Sequence, residues 1–260
     1  MLSLPPALQR AIDLVRSDAE AHATLARLEP LQVALGYHFQ HWPLLRTALT
    51  HKSYAVERQD GWDSYGVLEF VGDSVLDLIV AHRLWRQFPT AQEGVLTRLR
   101  ITMVAEGPLA SVAASLGLGE FVYLGKGATA QGLGARPAVL SDVLEAVLAA
   151  VYFDAVASGR GAVEAAAEVV ERVMGDRLDA LTTDSGVDAK SRLQWEVQAT
   201  HKRSPRYAIV SEEADGFRAE VFIEGPGGAQ VLGTGRGVSH QDAEMAAARV
   251  ALARLPLDAD

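Results

Sequence analysis

The 260-residue chain contains no cysteine, so disulfides and thiolate metal ligands are excluded and a reducing cytoplasm is the fitting compartment. No apolar run approaches the ~18 residues of a membrane-spanning helix. Met1 to Arg16 lacks a basic region followed by an apolar one, so no secretory signal and no membrane partner are expected. Positive charge is also scarce. Lys and Arg number 24 against 33 Asp and Glu, for a net charge of −9 and a sequence pI near 5.3. From residue 188 onward 9 basic residues face 11 acidic ones, and the remainder is more acidic still. Neither half has the basic balance usual for a polyanion-binding surface. Attraction to nucleic acid would have to come from bound metal and local clustering. What is present is an apolar content of 49% with 22% charged residues, enough for a sizeable core in one large domain or two ordinary ones.

The stretch Leu68-Glu69-Phe70-Val71-Gly72-Asp73-Ser74-Val75-Leu76-Asp77 organises the rest. Leu68, Val71, Val75, Leu78 and Ile79 recur at spacings of three and four, which predicts a largely buried helix. Glu69 and Asp73, four apart, project from the same side of it, about one turn from each other. Burying carboxylates is costly unless they are paired or bind metal. Gly72 costs roughly 1 kcal/mol against alanine in a helix interior, so close packing is expected there. For this stretch alone, an amphipathic helix whose acids simply face water explains the pattern equally well.

A second acidic pair adds weight to the metal reading. Asp142 and Glu145, in Ser141-Asp142-Val143-Leu144-Glu145-Ala146, lie at i,i+3 on another apolar helix. Two carboxylate pairs on two helices are the oxygen-donor chemistry of Mg²⁺ or Mn²⁺. His38 and His41 are also at i,i+3, but no acids support them and the structural reading is preferred.

Three ordered blocks now resemble one family. The 68–77 stretch resembles the signature helix of the ribonuclease III family, Ala48-Leu49-Thr50-His51-Lys52-Ser53-Tyr54 resembles an upstream block, and Leu140 to Ala146 resembles its second acidic motif. The match extends over roughly residues 30–257. The resemblance implies a homodimeric endoribonuclease that cuts double-stranded RNA with Mg²⁺, Mn²⁺ being able to substitute, leaves 5′-phosphate and 3′-hydroxyl ends, and processes ribosomal and other structured precursors. It implies Glu69, Asp142 and Glu145 as metal ligands. It implies Asp73 and Glu145 as the catalytic carboxylates, Asp73 either ligating directly or positioning a water. Phe70 is implied at the dimer interface. Glu93, followed by Gly94, matches a further acidic position and is assigned to substrate, a plain solvated acid being the alternative. The acid that the family carries three positions before Glu69 is Gly66 here.

The fold expected is a mainly α, all-helical endonuclease domain followed by a small α-β-β-β-α double-stranded-RNA-binding domain. Boundaries are set at 1–29 for an N-terminal helical extension of no assigned function, 30–180 for the catalytic domain, 181–187 for a linker where apolar periodicity is lost, and 188–257 for the second domain. Residues 55–66 are expected to be a polar loop, and the glycine-rich 117–135 a mobile loop. Its Gly125-Lys126-Gly127 lacks the earlier glycine and following hydroxyl of a phosphate-binding loop, so no nucleotide cofactor is expected. Arg98 and Arg100 are expected to face phosphate. In the second domain Ser191, Gln194 and Gln198 on the first helix, and Ser239, His240 and Gln241 at the start of the last, are the expected RNA contacts. His240 and Gln241 stand where the family carries lysines. Two rivals remain: a duplex-binding module without catalysis, and a metal-dependent hydrolase of small phosphate compounds.

Overall fold

The computed structural model describes residues 4–13, 18–58, 62–213, 216–225 and 228–255. They divide into two compact units, Met1–Ser185 and Gly186–Asp260.

The first unit is helical: α1 (Pro6–Asp13), α2 (Asp18–Leu35), α3 (Trp42–Ala48), α4 (Lys52–Arg58), α5 (Gly66–Gln87), α6 (Glu93–Val104), α7 (Glu106–Ser115), α8 (Leu118–Phe121), α9 (Lys126–Ala130), a 3₁₀ turn (Leu133–Ala135), α10 (Pro137–Ala157) and α11 (Ala162–Asp179). Its axis is α10. Pro137 opens that helix, where a missing N–H costs nothing. From Val139 to Ala155 buried residues occur on every side of it, and it packs against α3, α5, α7 and α11. A helix apolar all round belongs in the middle of a core. α5 is amphipathic by contrast, burying Leu68, Gly72, Val75, Leu76, Ile79, Val80 and Leu84.

One buried acid interrupts the apolar interior. Asp154, near the end of α10, is fully buried. Its carboxylate accepts hydrogen bonds from the Tyr37 hydroxyl (2.8 Å), the backbone N–H groups of Gln40 and His41 (3.2 and 2.7 Å) and Arg160 (2.9 Å), with His41 Nδ1 at 3.1 Å. His38 instead pairs with Glu29. The two histidines thus have separate, structural partners.

Two loop expectations are corrected. Residues 55–58 continue α4, and 59–61 lie outside the described residues. The glycine-rich 117–135 is built into α8, α9 and the 3₁₀ turn. Gly119, Gly125 and Gly134 allow close approach, a methyl group at Gly119 overlapping the Gly134 carbonyl, while Gly117 and Gly132 turn the chain at φ 65° and 66°. Upstream and downstream segments are joined by a parallel bridge between Thr50 and Tyr123, with His51 N–H donating to the Tyr123 carbonyl and Tyr123 N–H to that of Leu49.

The second unit runs α12 (Ala189–His201), β1 (Arg206–Glu213), β2 (Gly216–Gly225), β3 (Gly228–Gly237) and α13 (His240–Arg254), the expected α-β-β-β-α order. The sheet is antiparallel in the order β1-β2-β3. Alternation along β2 sends Ala219, Val221 and Ile223 inward against Leu193 and Val197 of α12 and Ala243, Ala247, Ala248 and Ala251 of α13. Asp188 caps α12 by accepting from the N–H groups of Lys190 and Ser191, and Ser239 caps α13 through Asp242 N–H.

Candidate active site

Glu69 and Asp73 stand on α5, Asp142 and Glu145 on α10, and the two helices pack directly on each other. Gly72 sets how closely. Any side chain there would overlap the backbone carbonyl of Glu145, so the acids of α5 bracket the point where α10 passes.

The result is a coupled group of like charges. Burial pushes the Glu145 carboxyl up to about 7, helped by the negative charges of Asp73, Asp142, Glu69 and Asp77. Burial likewise raises Glu69, with Asp142 and Asp73 adding to it and Lys52 opposing. Asp142 is raised by burial and by Glu106, against the Tyr65 hydroxyl and His51. Tyr65, buried beside Asp142 and Glu69, is held well above the usual tyrosine range. His51, just ahead of α4, is lowered by burial and then by Lys52, with Asp142 opposing. Asp73 itself is exposed, which leaves the group open to solvent on that side.

The structure therefore brings together all four carboxylates picked from the sequence. Among the described residues no three His, Asp or Glu side chains form a group that could hold a metal ion as they stand. Their chemistry is nonetheless that of hard-cation ligands, oxygen donors partly withdrawn from water and repelling one another.

Several neighbours were missed in the sequence. Asp77 continues the Glu69–Asp73 spacing by another four residues, so its signal was available. One of its oxygens accepts from Arg100, while Oδ1 is buried without a hydrogen bond. Glu106 and Tyr65 reach the group through the fold and had no local signature. Arg98 and Arg100, expected to face phosphate, both have partners within the protein. Arg100 pairs with Asp77, and Arg98 donates to the carbonyls of Thr183 (2.7 Å) and Ser185 (3.3 Å). Both guanidinium groups satisfy acceptors of the protein. Glu93 is the exposed first residue of α6, accepting from Thr97 Oγ1, and is not among the acids acting on Glu145, Glu69 or Asp142.

A second surface follows α5. Val67, Phe70, Leu78 and Trp85 are 72%, 74%, 57% and 63% exposed, at spacings that line one side of the helix. Phe70 thus takes no part in the core of its own chain.

In the second unit, Gln194 and Gln198 are exposed one turn apart on α12, with Ser191 at its start donating to Asp188 (2.7 Å). Ser239, His240 and Gln241 are exposed at the start of α13. The His240 ring stands edge-on to Phe217, centroids 4.3 Å apart, and the Ser239 hydroxyl donates to Asp242 (2.7 Å).

Known proteins resemble the chain across both units. A family model described as Ribonuclease-III-like matches residues 42–178. The ribonuclease 3 of Chromobacterium violaceum is 41% identical over 231 residues, 88% of this chain and 93% of its own. That of Desulfotalea psychrophila is 36% identical over 244 residues, 94% and 96% of the two chains. A structure of the nuclease domain of ribonuclease III from Campylobacter jejuni superposes with a TM-score of 0.53 at 34% identity, covering 60% of this chain and 98% of that one. A second structure of that domain, described as flexible in a region involved in dimer formation, gives 0.52 at 35% identity over 57% and 96%.

Proposed function

Because the chain belongs to the ribonuclease III family and is an endoribonuclease of that type, we propose that it cuts double-stranded RNA in a divalent-metal-dependent reaction leaving 5′-phosphate and 3′-hydroxyl ends. Precursors of ribosomal and other structured RNAs are the proposed substrates, and the cytoplasm the proposed compartment. The observation that carries this reading is the electrostatic coupling of Glu69, Asp73, Asp142 and Glu145 around the α5–α10 crossing.

Glu69, Asp142 and Glu145 are the proposed ligands of Mg²⁺, with Mn²⁺ able to replace it. When bound, such an ion lowers the pKa of a coordinated water and offsets charge developing at phosphorus. The protein's own groups do the rest. Gly72 fixes the α5 acids against the backbone of Glu145. Lys52 favours the ionised form of Glu69. Asp73, open to solvent, either completes the ligand set or accepts a proton from a water at its carboxylate oxygen. Burial and the neighbouring acids raise the Glu145 carboxyl to about 7, and a bound cation would favour its ionised form.

Homodimerisation through the exposed stripe of α5 is proposed as well, with Phe70 and Trp85 as its anchors. The second unit is proposed to hold the duplex, Ser191, Gln194 and Gln198 lying along a minor groove and Ser239, His240 and Gln241 meeting phosphates. Glu93 is the proposed further substrate contact from the first unit.

Incubating long duplex RNA, single-stranded RNA and a small phosphodiester with the protein, with and without Mg²⁺, tests the whole reading. Mg²⁺-dependent internal cleavage of the duplex alone, with ends that a 5′-phosphate-dependent exonuclease accepts, is expected. Binding without cleavage, or hydrolysis of only the small ester, would replace it with one of the two rivals.

A further inference from the structure

We infer that Arg98 is a positioning residue that pins the start of the interdomain connection to the nuclease unit and so keeps the tether of the RNA-binding unit short. Sequence alone makes 181–187 a free linker, small and polar. In the structure much of it is fastened. Leu181 is half-buried against the main core. Thr182 to Ser185 close into a turn, with Ser185 N–H donating to the Thr182 carbonyl (2.9 Å) and Thr182 N–H to Ser185 Oγ (2.9 Å). Arg98 then reaches from α6, 85 and 87 residues away in sequence, to the Thr183 and Ser185 carbonyls. A guanidinium is suited to this, because its planar fork offers several donors in fixed directions. On the far side, Asp188 already belongs to the cap of α12. Gly186, at φ 71°, and Val187 are all that lies between the two fastened ends.

The consequence is one of reach. Three Cα steps, from Ser185 to Asp188, span at most about 11 Å, whereas the seven steps from Leu181, which the core still holds, span up to about 25 Å. The effective concentration of a tethered module falls roughly as the −3/2 power of tether length, so release of the clamp dilutes one unit about the other by about fourfold. With the second unit gripping a duplex, a short tether delivers that duplex to the nuclease unit at the higher concentration. Arg98 thereby acts on substrate capture and not on the chemical step. The inference rests on the proposed RNA-binding role of the second unit.

The test uses the full chain with Arg98→Ala. Thermolysin, which cuts ahead of apolar residues, should cleave the variant several-fold faster at Leu181 or Val187. KM for duplex RNA should rise about fourfold with kcat unchanged. Bridging Arg98→Cys to Thr183→Cys with a short bis-maleimide should return KM to near the wild-type value, and no native thiol competes. Equal proteolysis rates overturn the clamp, and an unchanged or lower KM overturns its role in capture. Gln194→Ala/Gln198→Ala in the same assay separates the two layers. If that pair leaves KM unmoved, the RNA-binding reading fails. If it raises KM while Arg98→Ala does not, only the tether inference fails.

Discussion

The carbonyl of Glu145 fills the space that any side chain at Gly72 would need. One missing methyl group therefore sets the separation of the two acid-bearing helices. Gly72→Ala is expected to push α5 and α10 apart, at an overpacking cost of about 1–3 kcal/mol. Activity should fall much further than stability, because the carboxylates lose their relative placement. Thermal melting and Mg²⁺ titration of cleavage check this. A variant that melts lower yet cleaves at the wild-type rate and Mg²⁺ requirement would reject the link between that contact and the site.

Glu145→Gln preserves shape and removes charge. Cleavage should drop by several orders of magnitude while duplex binding, followed by gel shift, stays within about threefold of wild type. Ca²⁺ in place of Mg²⁺ should give the same separation of binding from cutting, since it tolerates irregular coordination. Substantial turnover of the variant at saturating Mg²⁺ would remove Glu145 from the ligand set.

Without metal, the acidic group should also cost stability in a pH-dependent way. Glu145 moves from an ordinary value of 4.5 to about 7 on folding. Between those values the folded chain binds more protons than the unfolded one, so its contribution to stability falls as pH rises. The penalty is absent below 4.5 and complete above about 7. Metal-free Glu145→Gln should therefore melt higher than wild type at pH 8, with the difference vanishing near pH 4.5. A difference constant across that range contradicts the electrostatic account.

Phe70→Ala should leave the monomer's fold intact, because the ring is 74% exposed. Dimerisation and cleavage should weaken together, as loss of an aromatic interface anchor would require. Sedimentation at several concentrations reads the first and duplex cleavage the second. A wild-type protein that stays monomeric while fully active excludes this interface.

His240→Lys with Gln241→Lys should tighten duplex binding and steepen its salt dependence by about two phosphates' worth, measured in a Glu145→Gln background. Lys202, Arg203 and Arg206 are the basic residues that could already cover those phosphates. Equal affinity and equal slope for the two proteins would show that they do.

The four carboxylates were legible because each pair is local. Spacings of four and three on apolar helices are visible without knowing where the helices go. The fold class was legible for the same reason, from periodicity and from the helix-strand order after residue 188. What stayed hidden depends on distant segments meeting. Glu106 approaches Asp142 only because α7 packs on α10. The ties of Arg98 and Arg100 go to residues 85 and 87 positions later and 23 earlier, partners that no local pattern shows. Glycine richness in 117–135 suggests mobility, whereas the structure uses Gly119, Gly125 and Gly134 for close contacts and Gly117 and Gly132 for turns at positive φ. Asp77 is the exception, a residue in plain view at the next step of the same spacing.

The buried carboxylate of Asp154 has a further consequence for how α10 is read by its surroundings. A cylinder greasy on all sides carries no compass; turned about its long axis, it would still find apolar neighbours. Asp154 supplies a bearing. Its oxygens are claimed by Tyr37, Gln40 and His41 of one segment and by Arg160 beyond the helix end, and turning the helix would strand a charge in the core. Nine residues earlier, Glu145 inherits that heading, two and a half turns along the same rigid rod. The acid at one end of α10 thus decides which way the acids at the other end look.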